Sequence, residues 1–324
     1  MTRKELVLAG IEWSKGTGLE IGPLTSPILS KKEARIFYAD HMSTKDLKNK
    51  YKDAPLNIDE IAPVDFVVKK TLAEAVNGKK FEYVIACHVI EHIPDTVRWL
   101  EDIASILKPG GILALAIPDK RYIFDIERQC STPGDVVGAY LERYDRPPSS
   151  AVYDFAAEGR KIKTAAVWKN PYKDWSTRPH LYSLDESYKM CLKNLSPGEY
   201  VDCHCYVFTP HSFIKIIREL IELGLFNFEI ASFRDTNDQN IEFYVSLRKI
   251  RKNKEIKKTQ LKSLPKLPAE QTIREFHKQK EALAEQVQFL TDEITLLHNS
   301  KSWKLTSPLR RTMHRLLRSK KGSP

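Results

Sequence analysis

The chain has 324 residues, 42% hydrophobic and 29% charged, enough for one large folded domain with an appendage and too apolar for a disordered chain. Its net charge of +10 sits at one end: residues 248–324 hold 20 Lys and Arg against 7 Asp and Glu, leaving 32 against 35 in residues 1–247. A near-neutral body argues against a nucleic-acid-binding core, and five cysteines with no Cys-x-x-Cys pair argue against a disulfide framework.

The first apolar run, Leu6–Ile11, is too short and too closely flanked by charge for a signal-peptide core. Nothing approaches the ~20 apolar residues of a membrane span, so a cytoplasmic location is expected. Short apolar runs then alternate with amphipathic stretches. The runs predict strands at Gly18–Gly22, Arg35–Asp40, Val64–Val68, Phe81–Cys87 and Gly111–Ile117. Between the last two, Val97, Leu100, Ile103, Ala104 and Leu107 recur at helical spacing, and Lys108-Pro109-Gly110-Gly111 stops that helix. Unbroken apolar strands joined by helices predict a Rossmann-like, doubly wound α/β sheet, mostly parallel.

The alternation stops at Pro118. The next 90 or so residues (119–208) are rich in Tyr, Trp, Pro and Asp and have no clear period, which is too long for an idle loop and predicts an insert or lid. Its aromatics, among them Tyr122, Trp168, Tyr172, Trp175 and Tyr182, suit either a sugar platform or a small core. Thr209-Pro210 caps a further helix through Gly224, and strands at Phe226–Phe233 and Ile241–Leu247 are close enough to form an antiparallel edge pair. A single folded body is thus expected over residues 1–248.

Residues 249–270, rich in Lys, Gln, Ser and Pro, read as a linker. Over 271–298, Ile273, Phe276, Lys280, Leu283, Val287, Leu290, Ile294 and Leu297 follow one another at alternating steps of 3 and 4, the seam of a coiled coil. The remainder, 299–324, places Ser307 and Pro308 ahead of a basic amphipathic stretch that suits an anionic membrane surface or a partner, with a solvated tail as the alternative.

A ligand of an open parallel sheet lies beyond the carboxyl ends of its strands. The first strand there offers Glu20, Gly22 and Pro23; the second ends in Asp40-His41, where a carboxylate takes a ribose diol; the fourth ends Cys87-His88-Val89-Ile90-Glu91-His92-Ile93-Pro94-Asp95. In this order, and with Leu107-Lys108-Pro109-Gly110-Gly111, these pieces resemble the class I S-adenosylmethionine-dependent methyltransferases. With Ile117–Tyr122, Phe208–Phe213 and the ending Ser300-Lys301-Ser302-Trp303-Lys304-Leu305-Thr306-Ser307-Pro308-Leu309-Arg310, the chain resembles those that accompany glycosyltransferases in bacterial surface-polysaccharide synthesis.

The resemblance implies S-adenosylmethionine as cofactor, held by Glu20 near the methionine amino group, Gly22, Pro23, Asp40, His41, Cys87 and His88. It further implies a small-molecule or glycan acceptor, and self-association or a glycosyltransferase partner through the coiled coil. In the family's first loop, Leu24 and Ser26 stand where later glycines are usual, and Val68-Lys69-Lys70 stands where an acidic residue often meets adenine. These departures keep open a non-catalytic scaffold, and the fold itself suits a lipid or small-metabolite acceptor equally well.

Methylating a hydroxyl requires removal of a proton, most simply by histidine. His180 and His204 lie in the insert and His88 at a strand end. His204 is the candidate, read as sharing a strand face with Asp202 and Tyr206. The same strand reading turns Cys203 and Cys205 away from His204, so no metal is expected there.

Overall fold

The computed structural model describes residues 1–170, 173–237, 239–250, 256–267 and 270–306. It divides into two compact units, Met1–Pro265 and Lys266–Pro324. The first begins with α1 (Arg3–Val7), β1 (Thr17–Ile21), β2 (Arg35–Asp40), α2 (Thr44–Lys50), β3 (Phe66–Val67), α3 (Leu72–Ala75), β4 (Phe81–Cys87), α4 (Thr96–Ile106) and β5 (Leu107–Pro118). An insert of α5 (Pro133–Glu142), α6 (Ser149–Glu158), α7 (Thr164–Lys169) and α8 (Leu184–Leu195) follows. Then come α9 (Pro210–Leu223), β6 (Phe228–Arg234), β7 (Glu242–Lys249) and α10 (Ile256–Ser263).

The seven strands lie in the order β3-β2-β1-β4-β5-β7-β6. Strands β1 to β5 pair in parallel, and β7 runs antiparallel to both β5 and β6. Strand order reverses between β1 and β4, which opens the ligand crevice at their carboxyl ends. The central strands are apolar throughout because helices cover both faces: β5 is buried from Gly111 to Pro118. Gly18 is fixed by packing, since a Cβ there would lie 2.1 Å from the ring of Tyr83.

Local sequence explains the helices that frame the crevice. Asp95 caps α4 by accepting from the Arg98 amide at 3.0 Å, and α4 buries Val97, Leu100, Ile103 and Ala104. Thr209 and Ser212 form a capping box with Pro210 at the first turn of α9, and Gly224 at φ +72° ends it.

The insert leaves and returns side by side, because Asp119 bridges Phe208 and the Lys120 amide donates to the Phe208 carbonyl at 2.9 Å. It has a small core of its own, Val152, Cys191, Val201 and Cys203, with Phe155 and Met190 against it. Several of its aromatics serve structure: Trp175 is buried, and Tyr122 stacks on Trp168 with centroids 4.0 Å apart.

Two expectations need correction. The stretch read as a linker contains α10, which packs on β6 and α9 and belongs to the first unit. Gln260, buried, donates to the carbonyls of Phe226 (2.6 Å) and Phe228 (2.9 Å), and the Ser263 hydroxyl accepts from the Ile230 amide at 2.9 Å. Second, Asp202–Tyr206 is not a strand. It is an irregular segment pinned by distant groups, with the Tyr206 amide donating to the Glu91 carbonyl at 3.1 Å.

The second unit carries α11 (Glu270–Asn299) and α12 (Lys301–Leu305). Leu283, Val287, Leu290, Ile294 and Leu297 are all exposed along α11. The side chains of Ile273, Phe276 and Lys280, and the tail from Ser307 onward, lie outside the described residues. No helix among the described residues is long and apolar enough to cross a membrane.

Candidate active site

The turn after β1 keeps the shape of a glycine-rich loop with fewer glycines. Gly22 has φ +63° and donates to the Ala39 carbonyl at 2.9 Å; a Cβ would meet only Val89 at 3.7 Å, so conformation rather than space calls for glycine. Leu24 itself adopts φ +44°, and its carbonyl accepts from the Ala62 amide at 2.7 Å. The loop therefore retains a left-handed residue where the resembling family has a further glycine, at a steric cost the surrounding structure must offset. The Ser26 amide donates to the Pro23 carbonyl at 2.9 Å and closes the turn.

Glu20 is 2% exposed and accepts from the Ile28 amide at 2.8 Å and more loosely from Leu29 at 3.5 Å. Burial pushes its pKa up to about 7, more than those two amides pull it down. Its carboxylate thus ties the loop down, a task beyond the amino-group contact expected of it.

Asp40 ends β2 at 7% exposure. Its Oδ1 makes no aligned hydrogen bond, although Nδ1 of the exposed His41 lies 2.6 Å away. A buried carboxylate oxygen short of a donor is what a ribose hydroxyl would satisfy. Lys69 and Lys70 after β3 are exposed.

Strand β4 delivers the other half of the edge. Cys87 packs against the core, and burial above all pushes its thiol pKa up to about 12, so it is a neutral wall. His88 has φ +53° and donates its amide to the Ala116 carbonyl. Its Nε2 lies 2.6 Å from Glu242, which also receives Arg3 Nε (2.6 Å), Arg3 Nη2 (3.0 Å) and the Tyr244 hydroxyl (2.8 Å). Burial alone would raise the Glu242 pKa, but the bonds from His88 and Arg3 hold it at about 2. His88 is thereby fixed on one face by an ion-pair network that sequence reading missed.

His204 comes to the same edge, 7% exposed. Its orienting acid is Asp125, not Asp202: Nδ1 lies 2.6 Å from Asp125 Oδ2, and Arg128 holds Asp125 Oδ1 at 2.8 Å while donating to the His204 carbonyl at 3.0 Å. Burial opposes ionisation of Asp125, yet His204 and Arg128 leave its pKa below the usual carboxylate range. Asp202 instead pairs with His92 Nδ1 at 2.8 Å. Burial depresses the His92 pKa, but Asp202 and the Glu91 charge outweigh it and leave it raised. The His92 and His204 rings meet edge to face at 4.7 Å. His180 lies elsewhere, beside Arg160 at 2.7 Å.

Residues 6–219 match the methyltransferase domain family. A stretch of 53 residues is 36% identical to the ubiquinone biosynthesis O-methyltransferase of Parvibaculum lavamentivorans, covering 16% of this chain and 21% of that protein. Among solved structures, an S-adenosylmethionine-dependent methyltransferase from Listeria monocytogenes is 12% identical over 76% of this chain and 97% of its own, with a TM-score of 0.39. One from Methanosarcina mazei is 15% identical over 75% and 95%, with a TM-score of 0.36. The family match spans well over half of the chain, which therefore belongs to the methyltransferase domain family, and S-adenosylmethionine is the cofactor expected from the sequence. The residues present fit that cofactor, given the under-satisfied Asp40 carboxylate at the end of β2 and the left-handed turn at Gly22.

Proposed function

From this family membership, we propose that the chain methylates a hydroxyl of a sugar or related glycan acceptor during assembly of a bacterial surface polysaccharide. The observation that carries the oxygen acceptor is the buried His204–Asp125 pair at the carboxyl edge of the sheet. S-adenosylmethionine supplies an electrophilic methyl on a sulfonium, so the protein's part is to align the acceptor oxygen and draw off its proton. Asp40, Gly22 and Pro23 hold the nucleoside end, with His41 over the rim; Cys87 and His88 form the wall next to the reacting end. Asp125 fixes the His204 ring with Nδ1 engaged, leaving Nε2 as the nitrogen that serves the acceptor.

The polysaccharide setting is supported by the resemblance of the chain's motifs and its Ser300–Arg310 ending to glycosyltransferase-associated methyltransferases. A phenolic acceptor is the second reading, favoured by the 36% identity over 53 residues to a ubiquinone biosynthesis O-methyltransferase. Methyl transfer from labelled S-adenosylmethionine to nucleotide sugars and oligosaccharides, set beside catechol-type phenols, separates the two. Labelling of phenols alone would overturn the glycan reading.

The exposed seam Leu283, Val287, Leu290, Ile294 and Leu297 supports self-association through α11. A chain ending at Pro265 keeps α10 with its unit, and should sediment at lower mass per particle than two or more full chains. Equal association states for both would mean that the seam serves a different partner, such as a glycosyltransferase, or none.

A further inference from the structure

We propose that Glu91, His92 and His204 hold a divalent metal ion of the first transition row, which binds the acceptor hydroxyl and makes it acidic; the second half of this proposal rests on the O-methylation reading above. One donor atom from each of the three residues lies within 4.8 Å of the others. Glu91 is 0% exposed, and neither of its carboxylate oxygens has a hydrogen-bond partner. His88 Nδ1 is 3.7 Å from Oε1, and the other nitrogen of that ring is committed to Glu242. A buried carboxylate left this way demands a counter-charge.

The two imidazoles are arranged to supply the remaining ligands. Each has Nδ1 held by a carboxylate, His92 by Asp202 at 2.8 Å and His204 by Asp125 at 2.6 Å. That is the outer-shell pattern of metal-bound histidine, in which the carboxylate sets the tautomer and leaves Nε2 as the ligand. Arg128 locks Asp125 in turn. Metal–ligand bonds of about 2.1 Å allow at most about 4.2 Å between two ligand atoms, so binding would draw the three donors together by about half an ångström or more.

Two imidazoles and one carboxylate suit a first-row divalent ion and leave coordination positions open. The His92 side chain is 31% exposed, which keeps an approach from solvent. The Cys205 thiol beside His204 is occupied differently: its Sγ contacts the carbonyls of His92 and Cys203. Glu91 and His92 lie in the turn Ile90–His92 directly after β4, at the carboxyl edge where the acceptor must meet the methyl group. An acceptor hydroxyl on the ion would release its proton to water, so His204 would serve the acceptor through the ion rather than as its direct base. Its oxygen would then form the O–CH₃ bond as the S–CH₃ bond breaks and that bond's electron pair stays on sulfur.

The test is Co²⁺ titration of the full chain after treatment with EDTA, read by absorption and calorimetry. The expected result is one Co²⁺ per chain, with ligand-field bands and no thiolate charge-transfer band. Glu91→Gln and His204→Asn should each weaken binding at least 10-fold, and Asp125→Asn by about 10- to 100-fold. Glu91→Gln should also raise the melting temperature of the metal-free chain, showing that the variant folds and that the carboxylate is a burden without its ion. Absent binding at sub-millimolar Co²⁺, equal affinity in all variants, or a thiolate band would overturn the site. Co²⁺ binding without methylation of any hydroxyl would sink the O-methylation reading and spare the metal. Methyl transfer undiminished in EDTA, with no Co²⁺ bound, would do the reverse.

Discussion

The two halves of the sheet's carboxyl edge are built on different plans. The β1–β2 half is local: Gly22, Leu24 and Asp40 are placed by one turn and one strand end, and Glu20 ties the turn to Ile28. The β4 half is assembled from afar, with His88 meeting Glu242 across 154 residues, His92 meeting Asp202 across 110 and His204 meeting Asp125 across 79. The local half suits a cofactor common to the family, and the distant half leaves room for an acceptor particular to this chain.

Breaking each half should therefore disturb a different quantity. His204→Asn is expected to lower turnover by about 10²-fold or more while leaving S-adenosylmethionine affinity intact, the usual size for losing a group that activates the acceptor. Steady-state kinetics with calorimetric binding checks this; a weakened cofactor affinity would merge the two halves into one site.

Glu20 offers a stability test of the local half. Its folded pKa of about 7 stands above the ordinary 4.5, so its contribution is fully present below pH 4.5 and is lost as pH rises through 7. The stability difference between wild type and Glu20→Gln should shift in the variant's favour by on the order of 3 kcal/mol between pH 5 and pH 8. Urea unfolding at the two pH values reads it. Glu242, held at about 2, acts in a different window: its contribution is present above pH 4.5 and fades as pH falls through 2. A pH-independent difference for Glu20→Gln would mean that its carboxylate is not buried as described.

The smallest effect belongs to Asp202. Its side chain is 55% exposed, against 1% for Asp125. Asp202→Asn should cost turnover less than Asp125→Asn, because water can take over the exposed acid's hydrogen bond. Equal losses would show that the His92 pair carries as much of the acceptor chemistry as the His204 pair.

The same contrast governs what the sequence made legible. Helices α4 and α9 could be read because Asp95 and Thr209 cap them and their apolar residues recur at helical spacing. The strands could be read because burial on both faces makes them apolar. Asp40 was found by its position at a strand end, which is a property of the fold class. Asp125, Glu242 and Arg3 gave no such signal, since what matters is a partner that only the folded topology supplies. His204 was identified with the wrong acid because a strand was assumed where long-range bonds hold an irregular segment. Helix α10 was hidden by its Lys-rich composition, and its anchors are the side chains of Gln260 and Ser263 on distant backbone groups.

The most direct test of the central claim is calorimetric titration of the full chain with S-adenosylmethionine and S-adenosylhomocysteine, repeated on Asp40→Ala. Two hydrogen bonds to a buried carboxylate are worth about 3 kcal/mol or more together, so micromolar binding to the wild type should weaken by about 10²-fold in the variant. No binding of either ligand to the folded wild-type chain would contradict a live cofactor site.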